Sequence, residues 1–131
     1  RRGYVKAEIE AGQQTIHLID THLHHLEPDS EMRQEQVPLL VEAWGNAPRT
    51  ILVGDMNATP DSPEMQMLAG AGLVDVGGVL GPDPGYTFYS PAPDRRIDYI
   101  WTSPDIIPTS FDIPQTTDSD HLPLVTTITL P

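Results

Sequence analysis

From Tyr4 to Ala11 apolar and polar residues roughly alternate, Gly12-Gln13-Gln14 interrupts them, and Thr15 to Thr21 resumes the alternation as TIHLIDT. A period of two sorts side chains onto the two faces of a pleated strand, so this stretch predicts a β-hairpin. A polar loop through Glu27-Pro28-Asp29 follows. Val37, Leu40, Val41 and Trp44 then recur at helical spacing, with Gly45 as the stop. Pro38 falls inside that pattern. Proline has no N–H to donate and costs about 3 kcal/mol in a helix interior, so the regular helix is expected to start near Gln36 or to kink there.

Thr50 to Gly54, TILVG, is the short continuous apolar run of a strand buried on both faces, and it ends in a polar loop from Asp55 to Asp61. In Asp61-Ser62-Pro63-Glu64 an N-cap, a first-turn proline and an acid near the positive helix end stand together. They predict a helix over 63–70, closed by Gly70 and Gly72. Residues 77–86 are rich in Gly and Pro and read as loop. Tyr86–Tyr89 and Ile97–Thr102 read as strands joined by the turn Pro91-Ala92-Pro93-Asp94, and Leu122–Leu130 as a last strand. Strands interleaved with two helices place the chain in the α/β or α+β class with a central sheet, one domain over residues 1–131. No internal repeat or low-complexity segment is present.

Composition narrows the function classes. Nineteen acidic against seven basic residues give a net charge of −12, which opposes extended contact with a long polyanion such as duplex DNA. Solubility or a saline habitat is the ordinary account of such a charge, with carboxylate crowding around a metal as the alternative. The absence of cysteine removes disulfides, thiolate catalysis and thiolate zinc sites together. No apolar run reaches the roughly 18 residues of a membrane span, and RRGYVKAEIE lacks the apolar stretch of a secretory signal.

Polar residues with chemistry to offer fall at strand ends: His22, Asp55, Asn57, Asp98, Asp120 and His121. In Gly54-Asp55-Met56-Asn57 a carboxylate and a carboxamide stand two residues apart after a buried strand. If the segment stays extended both face one site; the structural alternative is an Asx-turn that merely ends the strand. In Ser119-Asp120-His121 the histidine needs a carboxylate partner to be oriented and to favour its protonated form, the alternative being a solvated strand-start histidine. Asp98 lies among Ile97, Tyr99, Ile100 and Trp101, where an unpaired carboxylate is costly. Of the cluster His22, His24 and His25, the spacing fits no zinc motif; His22, at the strand end, is best placed to join the site, and His24 and His25 read as a solvated loop.

Taken in order, THL, a helix with Arg33 and Gln36, ILVGDMNATPDSPE, YTFYSPAPDRRIDYIW and SDHLPL resemble the C-terminal half of the endonuclease/exonuclease/phosphatase superfamily, over roughly residues 3–129. The resemblance implies a DNase I-like fold, half of a four-layer α/β/β/α sandwich. It implies a Mg²⁺- or Mn²⁺-dependent phosphoesterase in which Asp55 orients or activates the attacking water and Asn57 holds the phosphoryl group. His121 would contact the scissile phosphate, Asp98 would orient His121, His22 would stabilise charge, and Asp120, with Asp55 and Asn57, would serve the metal. Carboxylate, amide and imidazole donors without thiolates suit such a hard ion.

Two motifs of the family's N-terminal half, an early Asn and a metal-binding Glu, have no counterpart here. Half a sandwich leaves one sheet face apolar and uncovered, so either a two-fold homodimer or association with a separate N-terminal piece is expected. The acidic charge points to small phosphorylated metabolites, nucleotides or lipid head groups. A DNase-like nuclease and a catalytically incomplete folding or association module are the alternatives.

Overall fold

The computed structural model describes residues 2–26 and 28–131; Glu27, in the loop predicted after the hairpin, lies outside the described residues. Seven strands and three helices follow in the order β1 (Tyr4–Ala11), β2 (Gln14–His22), α1 (Ser30–Trp44), β3 (Thr50–Asp55), α2 (Pro63–Gly70), β4 (Val74–Asp75), α3 (Val76–Leu80), β5 (Asp98–Thr102), β6 (Ile107–Asp112) and β7 (Val125–Thr129). Five strands form one mixed sheet in the order β1-β2-β3-β5-β4, and β6 pairs with β7 in a second, two-stranded sheet. The chain is therefore of the mixed α/β class that the alternation and helical periodicity predict. No helix among the described residues is long and apolar enough to cross a membrane.

Register assigns the faces. Because side chains alternate along a strand and directly paired residues share a face, the ranks Ile19–Leu52–Trp101 and Thr21–Gly54–Tyr99 lie on one side of the sheet. That side packs against α1 and α2: Ile19, Leu52, Tyr99 and Trp101 join Val37, Leu40, Trp44, Met65 and Leu68 in one buried cluster. The intervening ranks, Ile9–Ile16, Ala7–Leu18–Ile51 and Val5–Asp20–Val53–Ile100, lie on the other side. There Val5 is 66% and Ile9 45% exposed, and Ile16, Leu18, Ile51 and Val53 are only half-buried, whereas Ile100 is buried.

Several elements depart from the expectation. α1 begins at Ser30 and runs through Pro38, which sits exposed in the helix interior. The lost backbone bond is tolerated because Arg33, Val37, Leu40 and Trp44 bury one stripe of the helix against the sheet and α2. α2 has the predicted bounds with Pro63 in its first turn, but the Ser62 side chain makes no cap bond. Glu64 stands in the first turn as expected and also turns inward. It accepts hydrogen bonds from Arg33 Nε at 2.5 Å and from Ser30 Oγ at 2.7 Å, fully buried.

The short helix α3, Val76–Leu80, takes up the start of the loop predicted over 77–86, begun by the Asp75 carboxylate accepting from the Gly78 N–H. Tyr86–Tyr89 is not a strand. Phe88 alone makes isolated bridges, to Arg95 and to His121. β6 went unread in the sequence, since Ile-Pro-Thr-Ser-Phe-Asp carries a proline that argues against a strand; Pro108 is accommodated next to an irregularity in the β6–β7 register.

The Arg33–Glu64 pair ties α1 to α2 beneath the sheet. Burial works against the Glu64 carboxylate, but the hydrogen bonds from Arg33 and Ser30 outweigh it and hold its pKa below the usual glutamate value. Glu64→Gln removes the buried negative charge to which Arg33 Nε and Ser30 Oγ donate, and a loss of about 1.5–3 kcal/mol in urea unfolding at neutral pH is expected. In the parent chain this contribution is present above the unfolded carboxyl pKa and fades as pH falls through the depressed folded value. The gap between parent and variant should therefore narrow in acid, and a gap independent of pH would show that the pair is not its source.

Candidate active site

Three strand ends meet at one edge of the large sheet. β2 runs parallel to β3 with His22 paired to Asp55, and β5 runs antiparallel to β3 with Asp98 paired to Asp55. His22, Asp55 and Asp98 thus form a row across three adjacent strands, all on the open face, in line with Leu18, Val53 and Ile100. This close pairing of β2 and β3 depends on Gly54. Its φ is +144°, and a Cβ there would stand 1.9 Å from the Thr21 carbonyl oxygen. Glycine in the GDMN string is therefore required by backbone contact.

Beyond Asp55 the chain does not remain extended. Asn57 has a φ of 50°, and its N–H donates to Asp55 Oδ1 at 2.8 Å. This is the Asx-turn alternative, and it builds the site rather than replacing it: the turn pins the Asp55 carboxylate and swings the Asn57 carboxamide beneath the loop after β2, where Nδ2 donates to the Leu23 carbonyl at 3.1 Å. The Leu23 N–H donates to the Asp55 carbonyl at 2.9 Å, so the two loops are joined twice.

His121 completes the arrangement. Its Nδ1 lies 2.9 and 3.0 Å from the two Asp98 oxygens, and its Nε2 lies 3.8 Å from Asp55 Oδ2. His22 Nε2 approaches the same Asp55 oxygen at 3.5 Å. Burial alone would favour a neutral His121, but the hydrogen bond to Asp98 and the charges of Asp98, Asp55 and Asp120 outweigh it and raise its pKa above the usual histidine value. The Asp55 pKa is also raised. Burial is the main cause and the neighbouring Asp98 charge adds to it, while the Asn57 N–H and the two histidines oppose it.

Of the residues singled out in the sequence, His22, Asp55, Asn57, Asp98 and His121 converge here. Asp120 is exposed beside them; its charge reaches His121, and its carbonyl accepts from the Ser90 N–H at 2.9 Å. Asp55, Asp98 and His121 each bring a ligand atom within 4.8 Å of the others and could hold a metal ion among the described residues. His24 is not simply solvated: its Nε2 lies 2.8 Å from Asp29 Oδ2, and it is half-buried.

The sequence reading missed the braces behind the acid–imidazole pair. Thr87, fully buried, accepts through Oγ1 from the N–H groups of Ile97 and Asp98, and its carbonyl accepts from Leu122 N–H at 2.7 Å. The Phe88 ring packs on the His121 ring at 4.6 Å. The string YTFY was legible as a segment. Its task was not, because an expected strand hides a threonine and a phenylalanine that work through two distant partners.

The Endonuclease/Exonuclease/phosphatase family model matches residues 4–121, and the chain belongs to that family. Among solved structures, an endonuclease/exonuclease/phosphatase from Beutenbergia cavernae superposes with a TM-score of 0.82 at 25% identity, covering 99% of this chain and 40% of that one. The human Nocturnin catalytic domain with bound sulfate gives 0.82 at 22%, covering 99% and 53%. A mannosyl-6-phosphatase from Bacteroides thetaiotaomicron gives 0.76 at 19%, covering 91% and 53%. The chain thus spans about half the length of these structures. No curated protein matches it in sequence.

The raised His121 pKa has a direct test. In chelator-treated protein, an NMR titration of the His121 ring should show a midpoint above the ordinary value of about 6.5, and Asp98→Asn should bring it down. Because the folded pKa is the higher one, the associated stability is complete below the unfolded pKa and is lost as pH rises through the folded one. A midpoint at or below that of a free histidine contradicts the Asp98 coupling.

Proposed function

We propose that the chain carries part of the active site of a divalent-metal-dependent phosphoesterase, which hydrolyses a phosphodiester or phosphomonoester by in-line attack of water. The observation that carries this reading is the single row in which Asp98, His121, Asp55 and His22 lie within contact of one another, with Asn57 turned toward them. Its donors are carboxylate and carboxamide oxygens and imidazole nitrogens, which fit Mg²⁺ or Mn²⁺. Asp55, Asn57 and Asp120 would hold the ion, with further ligands supplied from outside this chain; when bound, it supplies Lewis-acid polarisation of the phosphoryl oxygen.

The chain's own groups divide the remaining work. Asp55, pinned by the Asn57 N–H, accepts a hydrogen bond from the attacking water and draws off its proton. Asp98 fixes the tautomer and plane of His121 and keeps it protonated, so that Nε2–H donates to a phosphoryl oxygen as negative charge grows there. The Asn57 carboxamide, one N–H committed to Leu23, offers its other donor to the phosphoryl group. His22, half-exposed at the end of the row, stabilises charge on the phosphate or the leaving group.

A cleft of about 410 Å³ opens beside Asn57, lined among others by Arg33, Thr59, Phe88 and Arg95. Its size suits one sugar, base or head group rather than a length of duplex, and the net charge of −12 works in the same direction. Small phosphorylated metabolites, nucleotides or lipid head groups are the favoured substrates, and a DNase-like nuclease is the in-family alternative. The open sheet face favours a second reading as a catalytically incomplete folding or association module. Since the site row continues the apolar ranks of that face, whatever covers the face also borders the site, whether a second copy in a two-fold dimer or an N-terminal half of the fold.

Hydrolysis of bis(p-nitrophenyl) phosphate with Mn²⁺ tests the proposal. Activity is expected to drop about a hundred- to ten-thousandfold in Asp55→Ala and His121→Ala. Activity unchanged by both substitutions would remove the site from the reaction. Activity that emerges only with an added N-terminal half would assign the chain as the incomplete module. Light scattering after size exclusion is expected to show a dimer or a complex with that half; a monodisperse monomer at high concentration contradicts the covered-face argument.

A further inference from the structure

Helix α1 borders the cleft through Arg33 and reaches the Asp55–Asn57 turn only through the loop after β2. Arg33 and Gln36 lie three residues apart on its inner side and grip opposite ends of one residue in the loop after β2. The His24 N–H donates to Gln36 Oε1 at 3.0 Å, and the His24 carbonyl accepts from Arg33 Nη1 at 3.3 Å, which also donates to the Leu26 carbonyl at 2.9 Å. Glu64 on α2 fixes the Arg33 end of this clamp. The residue just before the clamp is Leu23, whose carbonyl accepts from Asn57 Nδ2 and whose N–H donates to the Asp55 carbonyl.

We infer that Gln36, with Arg33 and Glu64 behind it, is a positioning residue for the Asn57 carboxamide, acting through the His24 peptide and the Leu23 carbonyl. A side-chain amide rotates about a terminal bond with a broad minimum, so its orientation is set by its partners rather than by its rotamer. Among the described residues the Asn57 carboxamide donates to the Leu23 carbonyl, on a loop that the Leu23 N–H and the buried Leu23 side chain anchor from the sheet side. The Gln36 bond holds that loop from the helix side, and because among the described residues Gln36 engages through its oxygen, the clamp calls for an acceptor rather than an amide. The inference rests on the proposed function only for its catalytic consequence. The structural coupling between Gln36 and Asn57 stands apart from it.

Two substitutions of similar size separate acceptor from bulk. Gln36→Leu fills the space without accepting from His24 N–H, and Gln36→Glu keeps the acceptor. In Gln36→Leu the Asn57 side-chain amide protons are expected to exchange roughly fivefold faster in NMR, the equilibrium factor of one ordinary hydrogen bond, and in Gln36→Glu at the parent rate. In the phosphodiester assay, run on the chain together with whatever partner it requires for activity, kcat should fall on the order of tenfold to a hundredfold in Gln36→Leu with KM little changed, and Gln36→Glu should restore it. Unchanged Asn57 exchange in Gln36→Leu overturns the inference whatever the activity does, and so does equal acceleration in both variants, which would mark Gln36 as mere packing. The expected exchange pattern without hydrolysis in any form of the protein upholds the coupling and counts against the proposed function alone.

Discussion

The arrangement of this molecule depends on the register of three strands at one sheet edge. Neighbouring strands stand about 4.8 Å apart, so residues of equal rank present their side chains side by side, and a slip of one residue would turn every one of them to the opposite face. β2 and β3 in parallel and β3 and β5 in antiparallel bring His22, Asp55 and Asp98 to the same rank. Gly54 protects that alignment, since any side chain there would strike the Thr21 backbone. The core on the helix side enforces it as well, because Ile19, Leu52 and Trp101 share the alternate rank and could not leave the interior without large cost.

Placing two carboxylates opposite each other is unfavourable, and the loops supply the compensation. His121 enters from the segment before β7 and bonds Asp98, while its other nitrogen approaches Asp55. The Asn57 N–H relieves Asp55 from the other side. Each group perturbs the next: the carboxylates favour a protonated imidazole, and burial with like charge makes Asp55 a stronger base. The result is an imidazole whose protonated form is favoured beside a carboxylate whose neutral form is favoured.

The same register explains why the site and the open face belong together. The row of polar residues ends the very columns that hold Leu18, Val53 and Ile100, so anything packed on the apolar columns also borders that row.

Much of this was legible in the order of residues. The β1–β2 hairpin, β3, α2 and β5 follow from alternation, apolar runs and Pro or Gly punctuation, which are local properties. Asp98 announced itself as a carboxylate in an apolar strand that needed a partner. Other features were hidden because distant contacts override local preference. Pro38 is carried inside α1 by packing on the far side of that helix, Glu64 in the first turn of α2 is drawn inward to Arg33, and Pro108 sits in a strand next to a register irregularity. The sequence alone determined which residue types stand at strand ends and hence which chemistry is available. Only the tertiary structure decided that the Asp55–Asn57 turn folds back under Leu23, that Thr87 and Phe88 brace the Asp98–His121 pair, and that α1 grips the His24 peptide, because each depends on register between segments far apart in the chain, which no local pattern encodes.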